Sequence, residues 1–339
     1  MQKRFIISLL FIILLLLITA ACGLGYMGIA PDEVLSIMLS GLGFASDQID
    51  QTAQIVVMEV RLPRIICAVL VGGSLGVAGA VFQAVLLNPL ADPYTLGVSS
   101  GAAFGAALSM VLTMLGIALP SAWLVPFLAF AGALLTLSAV FSLSSTDQGF
   151  GSNTLILSGV IVAAILSAAI GFLKYIADEQ VSVIIFWLMG SLAGKNWLEV
   201  KLLLILAVPS LLLLQYMARE MNILSSGAKT AASLGIDVPK SRRIILTAAT
   251  LLTAASVSIA GIIAFIGLII PHLLRKIIGP DNVWLLPGSF LGGGILLLTA
   301  DTITRAFLPH EAPIGILTSL IGGPFFCYIF IRSQKRSRI

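Results

Sequence analysis

The sequence predicts an all-α membrane protein with about ten spanning helices. Of its 339 residues, 59% are hydrophobic and only 10% are charged, and the mean hydropathy is +1.10. A soluble domain carries roughly 25% charged residues. The apolar residues also form runs of bilayer length, and no polar stretch between them is long enough to bury a core of its own. We therefore expect residues 1–339 to form a single transmembrane domain.

The apolar runs give the predicted spans in chain order. They cover about 5–28, 64–87, 95–116, 121–143, 153–175, 197–217, 244–262, 263–278, 284–305 and 313–331. The first run resembles a signal peptide, but it continues past Cys22 to about Ile29, which favours a spanning helix. The eighth run is short and contains Pro271, so whether it crosses completely is left open.

The distribution of basic residues predicts the orientation of the chain. An even number of spans places both termini on one side, and Lys and Arg are enriched in cytoplasmic segments. If that side is the cytoplasm, its segments hold 13 of the 19 basic residues. These are Lys3, Arg4, Arg219, Lys229, Lys240, Arg242, Arg243, Arg275, Lys276, Arg332, Lys335, Arg336 and Arg338. Since they lie in short loops and at the C-terminus, they indicate membrane topology and argue against nucleic-acid binding.

The segment Arg61-Leu62-Pro63-Arg64 is predicted to form the outer mouth of the second span. Proline is tolerated in the first turn of a helix, where its missing N–H has no partner to lose. Two arginines three residues apart lie on one helix face. They suit either carboxylates at a protein–protein interface or anchoring at lipid headgroups, and the segment alone does not separate these roles.

Few residues within the spans have the chemistry for catalysis or ion coupling. Asp301 and Arg305 lie four residues apart and are predicted to pair. The chain has no phosphate-binding GxxxxGK motif, no paired catalytic acids and no Ser-His-Asp set. His272 and His310 are far apart, and the three cysteines are scattered, so neither a metal site nor a disulfide is predicted. We expect no enzyme and no cofactor.

Several shorter features complete the prediction. Interfacial helices are expected from Pro31 and over Val181–Leu192. The spans are rich in glycine, which allows either close helix packing or movement of one backbone against another. The longest cytoplasmic loop, about 218–243, should hold a short helix capped by Ser225 or Ser226 and ended by Gly235, then a second short element after Pro239. Loops of this length are usually functional.

Taken together, the motifs resemble the FecCD/vitamin B12-type permeases of type II ABC importers. The resemblance covers nearly the whole chain and rests on the order of Arg61–Arg64, Gly79–Gln83, Asn88–Pro93, Leu96–Ala102, Ala231–Gly235, Phe265–His272 with Arg275, Asp301 with Arg305, Glu311–Gly315 and Gly322–Phe326.

The resemblance implies roles for several residues. Docking of a substrate-binding protein is expected at Arg61, Arg64 and Arg305, and coupling to an ATPase at Ala231, Ser233, Leu234 and Gly235. Gating or packing is expected at Gly76, Gly79, Gln83, Asn88, Pro89, Gly97, Gly267 and Pro271. The implied partners are a second permease subunit, identical or related, two cytoplasmic ATP-binding subunits and the binding protein.

The implied function is transport of a metal chelate across the bacterial cytoplasmic membrane, with iron(III)-siderophore as the expected substrate and haem or cobalamin as alternatives. An ion-coupled secondary transporter remains a further alternative, although it would require acids in broken midplane helices. A channel or structural membrane protein is a third, although the long loop and the outer arginines argue against it.

Overall fold

The computed structural model describes residues 2–25, 27–41, 50–117, 121–145, 150–307 and 311–336. Within these ranges every regular element is a helix and there is no strand, which confirms the predicted all-α fold. The elements, in chain order, are α1 Gln2–Gly23, α2 Pro31–Gly41, α3 Gln51–Ile55, a π-helical turn Val56–Arg61, α4 Leu62–Val85, α5 Val98–Met114, α6 Ser121–Ser144, α7 Ser152–Ala177, a 3-10 turn Asp178–Gln180, α8 Val181–Leu188, α9 Trp197–Tyr216, α10 Ala218–Leu224, α11 Ala228–Ser233, α12 Val238–Ala260, α13 Ile266–Ile277, α14 Asn282–Phe307 and α15 Ile314–Arg336.

Each of the ten predicted runs contains a helix. Seven helical stretches in the described residues are long and apolar enough to cross a membrane. They are Gln2–Gly23, Gln51–Val85, Trp123–Ser144, Ser152–Leu188, Trp197–Tyr216, Val238–Ala260 and Asn282–Ala306. Two further apolar helices, Val98–Met114 and Ile314–Cys327, are shorter. The eighth run contains α13, whose 12 residues span about 18 Å, less than the roughly 30 Å of a hydrocarbon core.

The two ends of the bundle are fixed by contacts between α1 and α14. Lys3 lies 3.7 Å from Asp281 at the start of both helices. At their other end, Arg305 donates a hydrogen bond to the carbonyl of Ala21 at 2.6 Å. The two helices therefore run parallel. We call the end that carries Arg61, Arg64 and Arg305 the arginine end, and the end that carries residues 218–243 the loop end.

Helix α4 forms the centre of the bundle. It packs against α14, α12, α13 and α9, and nearly all of its side chains are buried. Its small residues allow this close packing, because helix backbones in lipid approach each other where side chains are small. Pro63 lies in its first turn, as predicted.

Helical structure begins before the predicted mouth at Arg61–Arg64, at Gln51, and continues through this segment into α4. The turn Val56–Arg61 is π-helical, and the N–H of Leu62 bonds to the carbonyl of Val57, five residues earlier. Pro63 has no N–H to donate and its ring would clash in a regular helix interior. The wider turn before it provides a physical reason why the helix passes through a proline without ending.

The end of α8, the residues after α12 and the start of α15 meet one another. The N–H of Ser191 bonds to the carbonyl of Ala260 at 2.8 Å, and the N–H of Ile314 bonds to the carbonyl of Gly190 at 3.0 Å. The hydroxyl of Tyr94 donates to the carbonyl of Ile263 at 2.8 Å. We call residues 187–191, 260–265 and 313–316 the junction. Its mutual hydrogen bonds satisfy backbone groups that lipid could not satisfy.

Candidate functional site

Arg64 connects three parts of the chain at the arginine end. Its Nε and Nη2 donate to the carboxylate of Asp301 on α14 at 2.8–3.1 Å. Its Nη1 donates to both carboxylate oxygens of Glu311, which precedes α15, at 2.9 and 3.0 Å. The side chain of Asp301 is fully buried, whereas that of Glu311 is 45% exposed. One guanidinium group thus holds α4, α14 and the start of α15 together.

Arg61 and Arg305 both bind the C-terminal end of α1. Arg61 donates to the carbonyls of Cys22 and Gly23 at 2.6 and 3.2 Å, and also to the carbonyl of Met27. Arg305 donates to the carbonyl of Ala21. The last carbonyls of a helix have no partner within the helix and carry partial negative charge, which cations stabilise. These two arginines therefore cap α1.

The predicted pair of Asp301 with Arg305 is wrong. Asp301 is bonded to Arg64 instead, and Arg305 reaches the end of α1. Arg64 and Asp301 are 237 residues apart in sequence, so the spacing of residues within one helix could not indicate that they pair.

The structure brings the three predicted docking arginines to one end, but it buries two of them. Arg61 is 5% exposed and Arg64 is 7% exposed, and Arg305 is partly buried. Glu311 is the exposed member of the cluster. A carboxylate from another protein would therefore reach Arg64 by taking the place of Glu311. Their docking role stays a prediction.

Part of the predicted gating set forms a close contact between α4 and α13. A Cβ atom on Gly79 would lie 2.5 Å from the carbonyl carbon and Cα of Gly267 and closer still to its oxygen, and one on Gly267 would lie 2.5 Å from Pro93, so neither residue has room for a side chain. The amide of Gln83 donates to the carbonyl of Gly267 at 3.1 Å. Its oxygen accepts a hydrogen bond from Arg275, near the end of α13. The contact holds the N-terminal and C-terminal parts of the short α13 against α4.

The other predicted gating residues lie around this contact. Gly76 packs against the backbone of Ser289 on α14, and Pro271 is buried within α13. The side chain of Asn88 accepts the N–H of Leu90 at 2.9 Å, which shapes the 86–97 loop around Pro89. Gly97 ends that loop with φ +74°, a conformation that glycine adopts without strain. These residues are structural neighbours, and whether they gate stays a prediction.

The loop end carries two short helices, α10 and α11. Ala231 of α11 is buried, while Ser233 and Gly235 are exposed and Leu234 is 64% exposed. Gly235 follows the helix with φ +85°, as its predicted terminating role requires.

Two details of the predicted loop are wrong. Gly227 occupies the N-cap of α11, and Ser225 instead donates to the carbonyl of Met221. Pro239 lies in the first turn of the long α12, capped by Asp237, so no separate short element follows it. Proline favours the start of any helix, and its position alone does not predict the length of that helix.

Sequence reasoning missed the side chains that join these clusters to the rest of the bundle. Trp197 donates its indole N–H to the carbonyl of Met58 in the π-helical turn at 3.0 Å. Asn222 on α10 donates to Asp281 at 2.8 Å and thereby ties the loop end to α14. The only available signal was a polar residue at the end of an apolar run. His310 lies outside the described residues, so the expectation that it binds no metal stays a prediction.

Comparison with known proteins gives relatives along the whole chain. The cobalamin import system permease protein of Halobacterium salinarum is 44% identical over 292 residues, covering 85% of this chain and 77% of its own. The hemin transport system permease protein of Yersinia pestis is 40% identical over 82% of this chain and 84% of its own. The Fe(3+)-citrate import system permease protein of Bacillus subtilis is 35% identical, over 97% of this chain and 96% of its own.

A solved structure has the same fold. It is the inward-facing conformation of a metal-chelate type ABC transporter, with a TM-score of 0.85 and 32% identity, covering 97% of this chain and 99% of that chain. The model of the FecCD transport family matches residues 12–332. The chain therefore belongs to the FecCD transport family and is an ABC importer permease of the metal-chelate type.

Proposed function

We propose that this permease carries an iron(III)-siderophore across the bacterial cytoplasmic membrane, with both termini in the cytoplasm. It works as a dimer with a second permease subunit, takes its substrate from an extracytoplasmic binding protein at the arginine end, and is driven by two ATP-binding subunits at the loop end. The exposed Leu234, which directly follows α11, supports the proposal, because it could contact a partner subunit and the chain has no phosphate-binding motif of its own.

The buried charges favour an external energy source over ion coupling. Among the described side chains, Asp301 is the most fully buried carboxylate, and both its oxygens are bonded to Arg64. A proton-coupled or sodium-coupled transporter needs a carboxylate that can change partners near the midplane. Asp301 instead lies close to the C-terminal end of α14, in a stable ion pair.

Cobalamin is the second candidate substrate. The relative named for cobalamin import is 44% identical to this chain but matches only 77% of its own length, whereas the relative named for Fe(3+)-citrate import matches from end to end. Haem has support of the same kind from the Yersinia pestis relative. All three ligands are bulky metal chelates.

The first experiment is a tagged pull-down from native membranes in mild detergent, with ATP hydrolysis assayed in the eluate. We expect an ATPase to co-purify and Leu234→Asp to remove it, because burying the new carboxylate costs several kcal/mol. Leu115→Asp is the matched control, since Leu115 is 66% exposed but follows α5 on the opposite side of the bundle. Retention of the ATPase by Leu234→Asp would contradict the proposed coupling surface.

A second experiment tests docking at the arginine end. If carboxylates of the binding protein compete with Glu311 for Arg64, Glu311→Gln should strengthen binding, and Arg64→Gln should weaken it. Glu59→Gln is the control, because Glu59 is an exposed acid in the π-helical turn that makes no bond to Arg64. Equal affinities for Glu311→Gln and Glu59→Gln would contradict direct exchange at Arg64.

The substrate is identified by stimulation of ATP hydrolysis in the purified complex with its binding protein. We expect a ferric siderophore to stimulate hydrolysis and a metal-free siderophore to have little effect. Stimulation by cobalamin or haem alone would overturn the choice of siderophore and leave the permease assignment unchanged.

A further inference from the structure

A groove between α9 and α12 lies outside the sites described above. Its volume is about 380 Å³. Pro209 and Leu213 of α9 form one wall, and Ile244 and Leu251 of α12 form the other, with Arg243 at one end. From Arg243 to Leu251 the groove follows eight residues of helix, or about 12 Å. It is therefore a mainly apolar, open groove with a cation among its lining residues.

The position of the groove relative to the membrane follows from its neighbours. Tyr216 is the last residue of α9 and is 86% exposed, as expected of an aromatic residue at the membrane–water boundary. Leu213 lies one turn before it. On the same helix, Ile205 and Leu212 are 67% and 66% exposed, so α9 presents an apolar outer face. The groove thus runs from the boundary into the hydrocarbon layer.

Arg243 stacks on an aromatic ring and forms no ion pair with a described residue. Its guanidinium carbon lies 4.3 Å above the centre of the buried Phe150 ring, and no described carboxylate pairs with it. The nearest acids of this region, Glu220 and Asp237, line a separate cavity together with Lys240. Ser241 donates to Glu220 there. Arg243 is exposed, and a guanidinium that stacks on a ring and pairs with no described carboxylate is suited to a phosphate group.

We propose that this groove binds one anionic phospholipid, whose phosphate contacts Arg243 and whose acyl chain lies between α9 and α12. The headgroup should be anionic, because none of the described residues that line the groove is a carboxylate that could pair with a choline or ethanolamine. Basic pockets between transmembrane helices at the cytoplasmic boundary commonly select such lipids. Since α12 follows α11 and Leu234 directly, the lipid would support the base of the coupling surface, an inference that rests on the proposed function.

The test measures binding of dioleoyl phosphatidylglycerol and dioleoyl phosphatidylcholine to the purified full chain with its co-purifying subunits, by native mass spectrometry. Arg243→Gln should bind phosphatidylglycerol about five-fold more weakly than the wild type, because one basic residue contributes this much near a membrane surface. Arg219→Gln is the control, since Arg219 is exposed at the same end but does not line the groove.

Two further variants keep the test decisive. Arg243→Lys retains the charge and should keep most of the binding, whereas Thr247→Trp should block the groove while leaving Arg243 unchanged. Equal phosphatidylglycerol binding by Arg243→Gln and Arg219→Gln would overturn the proposal, as would equal binding of the two lipids by the wild type. Inorganic phosphate at the same concentration should not compete, and competition by it would indicate a free-anion site instead.

Discussion

At the scale of single residues, Arg64 shows how one side chain organises a membrane protein. A buried ion pair contributes little net stability compared with apolar residues, but removing one partner leaves a buried charge without compensation. Asp301 would be that charge, since its side chain is fully buried and takes three hydrogen bonds from Arg64. The pair therefore fixes the position of α14 against α4.

We predict that Arg64→Ala destabilises the protein by roughly 3 to 5 kcal/mol and that adding Asp301→Asn restores part of the loss. The double variant no longer buries an unpaired charge, which is the physical reason for the recovery. The melting temperatures of the wild type, both single variants and the double variant in one detergent measure the coupling. Strictly additive shifts would contradict a direct bond between Arg64 and Asp301.

The sequence showed that arginines gather at one end of the bundle but not what they contact. Arg61, Arg64 and Arg305 were identified from their charge in apolar surroundings and from a family resemblance. Their partners are carbonyls of α1 and carboxylates more than 200 residues away. Local spacing predicts neighbours within a helix, as in the incorrect pairing of Asp301 with Arg305, whereas these contacts depend on how whole helices pack.

At the scale of helices, small residues determine how closely the elements approach. Gly79 and Gly267 bring the backbones of α4 and α13 into direct contact, and Gln83 adds a hydrogen bond beside them. The sequence predicted glycine-mediated packing in α4 and left movement open as an alternative. It could not predict that α13 begins only at Ile266, because the preceding residues 261–265 are as apolar as the helix itself.

We predict that Gly79→Ala destabilises the protein by about 1–3 kcal/mol, because the added methyl group has no space against Gly267. Gly171→Ala provides the matched control, since a Cβ atom there meets no other atom within 4 Å. In that open helical position alanine should be neutral or stabilising. Melting temperatures and substrate uptake are measured for both variants.

The two measurements separate packing from gating. A lower melting temperature with a parallel loss of uptake would support packing as the main role of Gly79. Normal stability with lost uptake would indicate movement between α4 and α13, and would contradict the tight contact as a stability element. Equal behaviour of Gly79→Ala and Gly171→Ala would contradict both roles.

At the scale of the whole molecule, the basic residues and the helix contacts agree on two distinct ends. Lys3, Asn222 and Asp281 meet at the loop end, and the three arginines meet at the other. The order of the ten apolar runs predicted that consecutive connections lie alternately at one end and the other. The identity of the cytoplasmic side rests on the positive-inside rule alone.

Cysteine labelling in intact cells tests that orientation. In a background in which Cys22, Cys67 and Cys327 are replaced by serine, a membrane-impermeant maleimide should label Glu59→Cys without permeabilisation. It should label Lys229→Cys only after the membrane is opened, because Lys229 is exposed at the loop end. Labelling in the reverse order would contradict the predicted placement of both termini.

The π-helical turn Val56–Arg61 sets the register between the residues before it and α4. A π turn holds one residue more than the α-helical path it replaces, so it acts as a single-residue insertion within Gln51–Val85. Deleting one residue there would restore a regular helix but rotate everything before it by about 100° relative to α4. Trp197 would then lose the carbonyl of Met58 as its partner. In this helix, alignment gaps between relatives are therefore expected to fall at 56–61, where one added or lost residue changes which face the preceding segment presents.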